Sequence, residues 1–359
     1  MIPLASLALR RTLPPGLLVV FALLALAAAL RDWGASAEVL AALGGDASTR
    51  AASRQGVWLL AAALLVPALA ARAAATIPRW RRADAAWLAP RRTGRVACLA
   101  ATFAGSSVGA VLALLLFFAA AELAAGESDA ARRFVRGVEH PPLHVLDGPG
   151  AYCELDHLGA DELAAGASLL VRPTVAPGRG PTADVLLQVR RGDAVLGEVA
   201  ALLTGRASVE IPLAPPAADA GGALQLVVRR NAPGAPVLLP DHSVWLLAAA
   251  SAERDGSAAL FAELLLLLLA LGAVALGLGA WMRGAVATLL ALALWTPTLA
   301  WGAAGTWAPG GRLARDLTLL GDGIVPPAPQ PAALAGAALA LGAGLALAAL
   351  GLRSWGRTP

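Results

Sequence analysis

The chain has 359 residues, 58% of them hydrophobic and 14% charged, with a mean hydropathy of +0.68. So apolar a chain of this size cannot present a water-soluble surface, and an integral membrane protein is expected. A net charge of +4 and a pI near 10.2 would suggest nucleic acid in a soluble chain. Here the arginines gather at the ends of apolar runs, which membrane topology explains, and no nucleic-acid partner is expected.

The first apolar run, 13–30, follows Arg10 and Arg11. It reads as a retained span, since roughly 18 apolar residues reach the spanning minimum; the alternative is a cleaved signal peptide with Arg10 and Arg11 as its n-region. Residues 31–55 form an external, charge-balanced loop, and the second span covers 56–75. The connection 72–95 carries seven arginines and a single carboxylate, Asp84. An arginine at mid-bilayer costs roughly 2.5 to 3.5 kcal/mol, and short Arg-rich loops stay in the cytoplasm. Pro78 and Pro90 bracket a piece, 79–89, in which Trp80, Ala83 and Trp87 recur at helical spacing. It reads as a short amphipathic helix on the membrane or on a partner, or else as a basic loop held by anionic headgroups.

The third span covers 96–121. It carries Gly105 and Gly109, a small-residue packing face that the Ala- and Gly-rich composition could also produce. From 126 to 256 the character changes, with 16 acidic residues against 11 arginines and no run long enough to span. Alternating segments at 168–175, 183–190, 194–203, 207–213, 223–230 and 242–249 predict strands of an antiparallel β-sandwich, with Arg191-Gly192-Asp193 closing one hairpin. Residues 132–163 read as loop and short helix wrapping it. The fourth and fifth spans, 258–280 and 285–301, form a tight hairpin. An external loop, 302–331, has a predicted short helix over 312–320. The sixth span, 332–352, carries a stripe of Gly336, Ala340, Gly344 and Ala348, again a packing face.

The expected fold is therefore an integral membrane α-helical bundle of six transmembrane helices with an inserted extracytoplasmic antiparallel β-sandwich. Residues 1–125 hold helices 1–3 and the loop 72–95, 126–256 the sandwich, and 257–359 helices 4–6. Both termini are cytoplasmic, in a cell (inner or plasma) membrane. Trp33, Trp58, Trp281, Trp301, Trp307 and Trp355 lie near span ends, where an aromatic belt belongs.

All 28 basic residues are arginine, so the Lys of a P-loop is missing and the chain has no standard ATP-hydrolysing site. No GxSxG or HExxH motif occurs, and no enzyme activity or cofactor is expected. His140, His144, Cys153, Glu154, Asp156 and His157 are metal-ligand types, but Pro141 and Pro142 deny the two histidines a helical face and no metal is expected. Arg190-Arg191 and Arg229-Arg230 end two strands, as a basic rim for an anion or as solvated strand ends. Cys98 and Cys153 fall on opposite sides of the membrane, so no disulfide is expected. The span interiors read as free of ionisable residues at mid-depth, which argues against ion-coupled transport.

The membrane part resembles the membrane subunit of a type-2 ATP-binding-cassette exporter. The resemblance rests on six spans, inside termini, the loop between spans two and three, and the external loop before the last span. Within the loop, Arg82-Ala83-Asp84-Ala85-Ala86-Trp87-Leu88-Ala89-Pro90-Arg91-Arg92-Thr93-Gly94-Arg95 is similar to that family's coupling segment. The resemblance implies a coupling helix inserted into a separate ABC ATPase subunit, with Arg79, Trp80, Arg82, Asp84, Trp87, Leu88, Arg91 and Arg92 as the docking loop. It also implies a homo- or heterodimer of permease subunits in the lipid bilayer. The large domain between spans three and four departs from many members. The expected function is export of an amphipathic or polymeric substrate; the alternative is a membrane-anchored extracytoplasmic binding or assembly protein with no transport activity.

Overall fold

The computed structural model describes residues 14–29, 46–79, 95–125, 132–145, 150–156, 158, 166–176, 182–205, 208–214, 223–232, 234–241, 243–249, 254–300, 310–321 and 323–354. The chain divides into two compact units, Met1–Asp129 with Ala252–Pro359, and Ala130–Ser251.

The first unit is helical: α1 (Pro15–Ala29), α2 (Asp46–Arg79), α3 (Arg95–Ala125), α4 (Arg254–Gly279), α5 (Gly284–Ala300), α6 (Leu313–Gly321) and α7 (Pro331–Ser354). Four of these are long and apolar enough to cross a membrane, with candidate spans Ala52–Pro78, Leu99–Leu123, Gly256–Gly279 and Pro331–Arg353. The apolar helices α1 and α5 are shorter, at 15 and 17 residues. At 1.5 Å per residue they reach about 22 and 26 Å, short of a hydrocarbon core of about 30 Å.

Helix α2 lies at the centre. Val57, Trp58, Ala61, Leu65, Ala73 and Ile77 are all buried on it, at the three- and four-residue spacing of one helical stripe. It packs against α1, α3, α4, α5 and α6. At one end of the unit stand Arg72 and Arg79 of α2, Arg95 opening α3, and Arg283 after α4, and we call this the arginine end. There a methyl group at Gly279 would run into the Ala74 backbone, and one at Gly284 would stand 3.2 Å from the Ala75 Cα. Only glycine lets these helices approach so closely. Higher up, the Phe118 ring meets Trp58 and Phe261 edge-on, with centroids 6.5 and 5.9 Å away. Trp58 is thus enclosed by the bundle, 0% exposed, rather than in an aromatic belt. Trp281 is exposed, and its indole N–H donates to the Leu347 carbonyl at 3.0 Å.

Helices α4 and α7 run in the same direction, because Gly344 sits against Ala273 and Gly351 against Ala280. The chain must return between them. It does so through α5, which starts beside Ala75 at the arginine end, and it next appears in α6, where Gly321 abuts Gln55 and Leu320 abuts Gly256 at the opposite end.

The second unit is β-rich: β1 (Arg132–Val138), β2 (Leu143–Val145), β3 (Ala151–Glu154), β4 (Ser168–Val171), β5 (Thr174–Val175), β6 (Thr182–Arg191), β7 (Ala194–Thr204), β8 (Val209–Pro212), β9 (Leu224–Arg230), β10 (Val237–Leu239) and β11 (Val244–Ala249). The strands lie side by side as β1-β11-β4-β8, β2-β10-β5 and β3-β9-β6-β7, and these pairings are antiparallel. Val138, Val145, Leu169, Leu187, Leu226 and Leu246, drawn from all three groups, share one core. Gly192, at φ +59°, turns the β6–β7 hairpin, a conformation in which glycine carries no steric cost.

The segment read from sequence as loop and short helix instead supplies β1, β2 and β3. Its alternation is concealed by a bulge between Phe134 and Arg136, which shifts the register by one residue. The predicted strand 168–175 divides into β4 and β5 around Arg172 and Pro173, since proline has no N–H for the ladder.

Candidate functional site: a charge cluster at the end of the helical unit

Helix α6 is amphipathic. Leu313, Leu317 and Leu320 are buried in the helical core, while Arg312 and Asp316 are drawn in with them, 5% and 1% exposed. The Glu263 side chain, from α4, shares a hydrogen bond with that of Asp316 and accepts the backbone N–H of Arg312. Arg312 immediately precedes α6, so Glu263 holds the N-terminal flank of one helix from another, and two carboxyl groups lie near the positive end of the α6 dipole. Arg315 donates to the Asp316 Oδ1 from Nη2 at 2.9 Å. Arg312 Nε and Nη1 and Ser257 Oγ are enclosed without a hydrogen-bond partner among the described residues. Burial first, then the Arg315 charge, lowers the Arg312 pKa, and Asp316 and Glu263 oppose that shift. Arg54, next to Gln55 on α2, is also buried at this end of the unit.

Sequence reading missed this cluster. Glu263 is a lone carboxyl inside the candidate span Gly256–Gly279, about 10 Å along the helix from Gly256. Inside an apolar run an ionisable residue is itself the signal. The expectation of charge-free span interiors concerned mid-depth; Glu263 lies nearer the Gly256 end of the span, where it meets Arg312 and Asp316.

A second feature is a narrow lateral crevice between α2, α3 and α4, of about 20 Å³, walled by Leu69, Ala73, Phe103, Ser106, Leu268 and Gly272 among others. Ser107 O–H donates to the Phe103 carbonyl at 2.9 Å, so this hydroxyl is satisfied within its own helix.

Of the docking-loop residues, Arg79 is the last of α2; Trp80, Arg82, Asp84, Trp87, Leu88, Arg91 and Arg92 lie outside the described residues. Gly105 and Gly109 are buried on α3. Gly336 and Gly344 are buried and Ala340 half-buried along one face of α7, and Gly344 lies against the α4 backbone at Ala273 and Val274.

In the β-rich unit, Glu139, His140, Glu154, Asp156 and Asp241 line an open groove of about 490 Å³. Its histidine is already engaged, with Nδ1 2.9 Å from the Pro141 carbonyl and Nε2 3.3 Å from Ser243 Oγ. Asp156 accepts from Arg136 at 3.0 Å. No group of three metal-ligating side chains occurs among the described residues. The arginine pairs do not form a single rim: Arg190 faces Gln225 and Arg191 faces Leu224, whereas Arg230 faces Val185, so the pairs cap opposite ends of β6.

Cys153 is buried in the β core, and burial pushes its thiol up to about 11 from an ordinary 9.0. At pH 8 the native thiolate population is then about a hundredfold lower than in the unfolded chain. Alkylation of the Cys153 peptide, followed by mass spectrometry, is expected to be negligible in native protein and rapid in denaturant. The raised pKa favours the folded state fully below pH 9, and this contribution falls away as pH rises toward 11.

Comparison with protein-family models, curated proteins and solved structures finds no match for this chain.

Proposed function

We propose that the chain is the permease-like membrane subunit of a type-2 ABC exporter, moving an amphipathic or polymeric substrate outward with ATP hydrolysed by a separate ATPase subunit. On this reading it crosses the membrane six times, with α1 and α5 as the short spans. Both termini and the arginine end face the cytoplasm, and the β-rich unit is an extracytoplasmic sandwich that binds cargo or a partner. The parallel course of α4 and α7, with α5 returning between them, supports the count. The shared core of three antiparallel strand groups supports the sandwich.

One observation carries the proposal. Helix α2 leads into the arginine-rich connection at one end and packs against α6 at the other. A docking event on the connection would therefore act on the helix that reaches the far end of the unit, and an ATPase bound differently in two states would bias two arrangements of that helix. Arginines alone serve a membrane anchor equally well; Asp84 and Trp87 do not. Purified in gentle detergent from its native host, the chain is expected to bring a P-loop ATPase with it. Asp84→Ala with Trp87→Ala, all arginines kept, is expected to abolish that association. Recovery of envelope proteins alone, unchanged by the double substitution, would establish the anchored binding or assembly protein instead.

A further inference from the structure

We infer that the outward face of the β3-β9-β6-β7 group is a platform for a neutral polysaccharide chain, centred on Tyr152. The inference rests on the reading of the β-rich unit as the part that binds cargo, and it names the class of polymer. Strand alternation sends Cys153 of β3 and Leu226 and Val228 of β9 into the core, so Tyr152, Glu154, Gln225, Val227 and Arg229 stand on the opposite face. In the antiparallel register Tyr152 is directly across from Val227 and Glu154 from Gln225, which leaves Arg229 diagonal to the ring. Tyr152 is the single tyrosine of the chain and is 62% exposed. Arg229 is held beside it by a missing side chain: a Cβ at Gly150 would stand 2.8 Å from Arg229 Cγ and 3.5 Å from its Nε. The arginine therefore lies across β3 in the space that a side chain at Gly150 would fill.

Elsewhere on this face the polar side chains satisfy one another. Gln188 receives Arg190 and donates to Glu198, and Asn231 donates to Asp184 at 3.0 Å. Around Tyr152 they do not: the side chains of Glu154, Gln225 and Arg229 make no hydrogen bond to another described residue. An exposed ring is thus bordered by an acceptor, a donor and an amide that is both. A pyranose has the matching form, with C–H groups for the negative face of the ring and hydroxyls around its rim that donate and accept. A hydrocarbon chain would strip water from three polar groups and give them no partner. A polyanion would meet Glu154 as well as Arg229. A folded protein would need about 800 Å² with an apolar centre, whereas Tyr152 is a lone exposed ring. At Glu154 the face opens into the groove lined by Glu139, His140 and Asp241. With strands about 4.8 Å apart, the four span about 14 Å, so the platform and groove together suit a chain of sugars.

Surface polysaccharide from the native host would be separated into neutral and acidic fractions by anion exchange, and each passed over the full-length chain immobilised in detergent. Retention of the neutral fraction is expected. Tyr152→Ala should weaken it about tenfold, and Tyr152→Phe, which keeps the ring, should retain most of it. Arg229→Ala should weaken it about fivefold, while Arg133→Ala, at an exposed position of β1, should leave it unchanged. These side chains are exposed, so the variants are expected to fold as the parent does. Failure of the folded parent to retain the neutral fraction, retention of the acidic fraction alone, or equal retention by Tyr152→Ala would overturn the inference. Recovery of the ATPase is a separate readout, which Tyr152→Ala should leave intact. Polysaccharide binding without an ATPase would sink the exporter reading alone, and an ATPase without polysaccharide binding would sink this inference alone.

Discussion

Gly344→Val is expected to prevent stable assembly of the helical unit, whereas Gly342→Val, two residues away, is expected to be tolerated. At Gly344 a Cβ would enter the carbonyl of Ala273 and the amide of Val274, and across the same seam a Cβ at Gly277 would stand 2.5 Å from the Gly344 carbonyl oxygen. The obstacle is backbone, which cannot change rotamer, so α4 and α7 would have to separate. Overpacking typically costs about 1 to 3 kcal/mol where side chains can yield, and this contact belongs above that range. Gly342 has nothing within 4 Å of its Cβ position. Yield and monodispersity of the two variants in detergent, with thermal unfolding of whatever is recovered, provide the comparison; equal behaviour would mean that α7 does not pack on α4 in this register.

Asp316→Ala should release α6 from the bundle. The carboxylate is 1% exposed, receives Arg315, and shares a hydrogen bond with Glu263 beside the buried Arg312. Removing one partner from a buried charged set leaves the remaining charge uncompensated, at a cost of about 3 to 5 kcal/mol. The apolar anchors Leu313, Leu317 and Leu320 must offset this alone. Amide exchange across Leu313–Gly321 is expected to accelerate by more than a hundredfold, with Asp316→Asn less affected because it retains a hydrogen-bonding group. Unchanged protection of α6 in Asp316→Ala would show that its leucines suffice and that the charges are incidental to docking. The exporter reading adds a further outcome: a protein with α6 released should lose outward transport while keeping its ATPase, because the loop 72–95 is untouched.

Much of the architecture follows from composition along the chain. Apolar runs long enough to span, arginines at their ends and an acidic, turn-rich middle segment are properties of consecutive residues, and hydropathy alone locates them. β6, β7 and β9 were legible for the same reason, since alternation of period two is written within each strand. The small-residue stripe of α7 could be seen but not interpreted. In so Ala- and Gly-rich a chain it was indistinguishable from composition until Gly344 was found against Ala273.

The remainder depended on residues far apart in sequence. Strands β1 to β3 are short, charged or bulged, and their identity comes from partners about a hundred positions later in β9, β10 and β11. Burial of Trp58 depends on Phe118 of a different helix. The charge cluster joins Glu263, Arg312 and Asp316; Glu263 stands out within its apolar run, but the partners that enclose it are set only because α6 folds back onto α4. Sequence by itself determined which segments avoid water, because that free energy is nearly additive over residues. Only the tertiary structure decided which faces meet and which charges are enclosed, because those depend on the distances that packing sets between separate helices and strands.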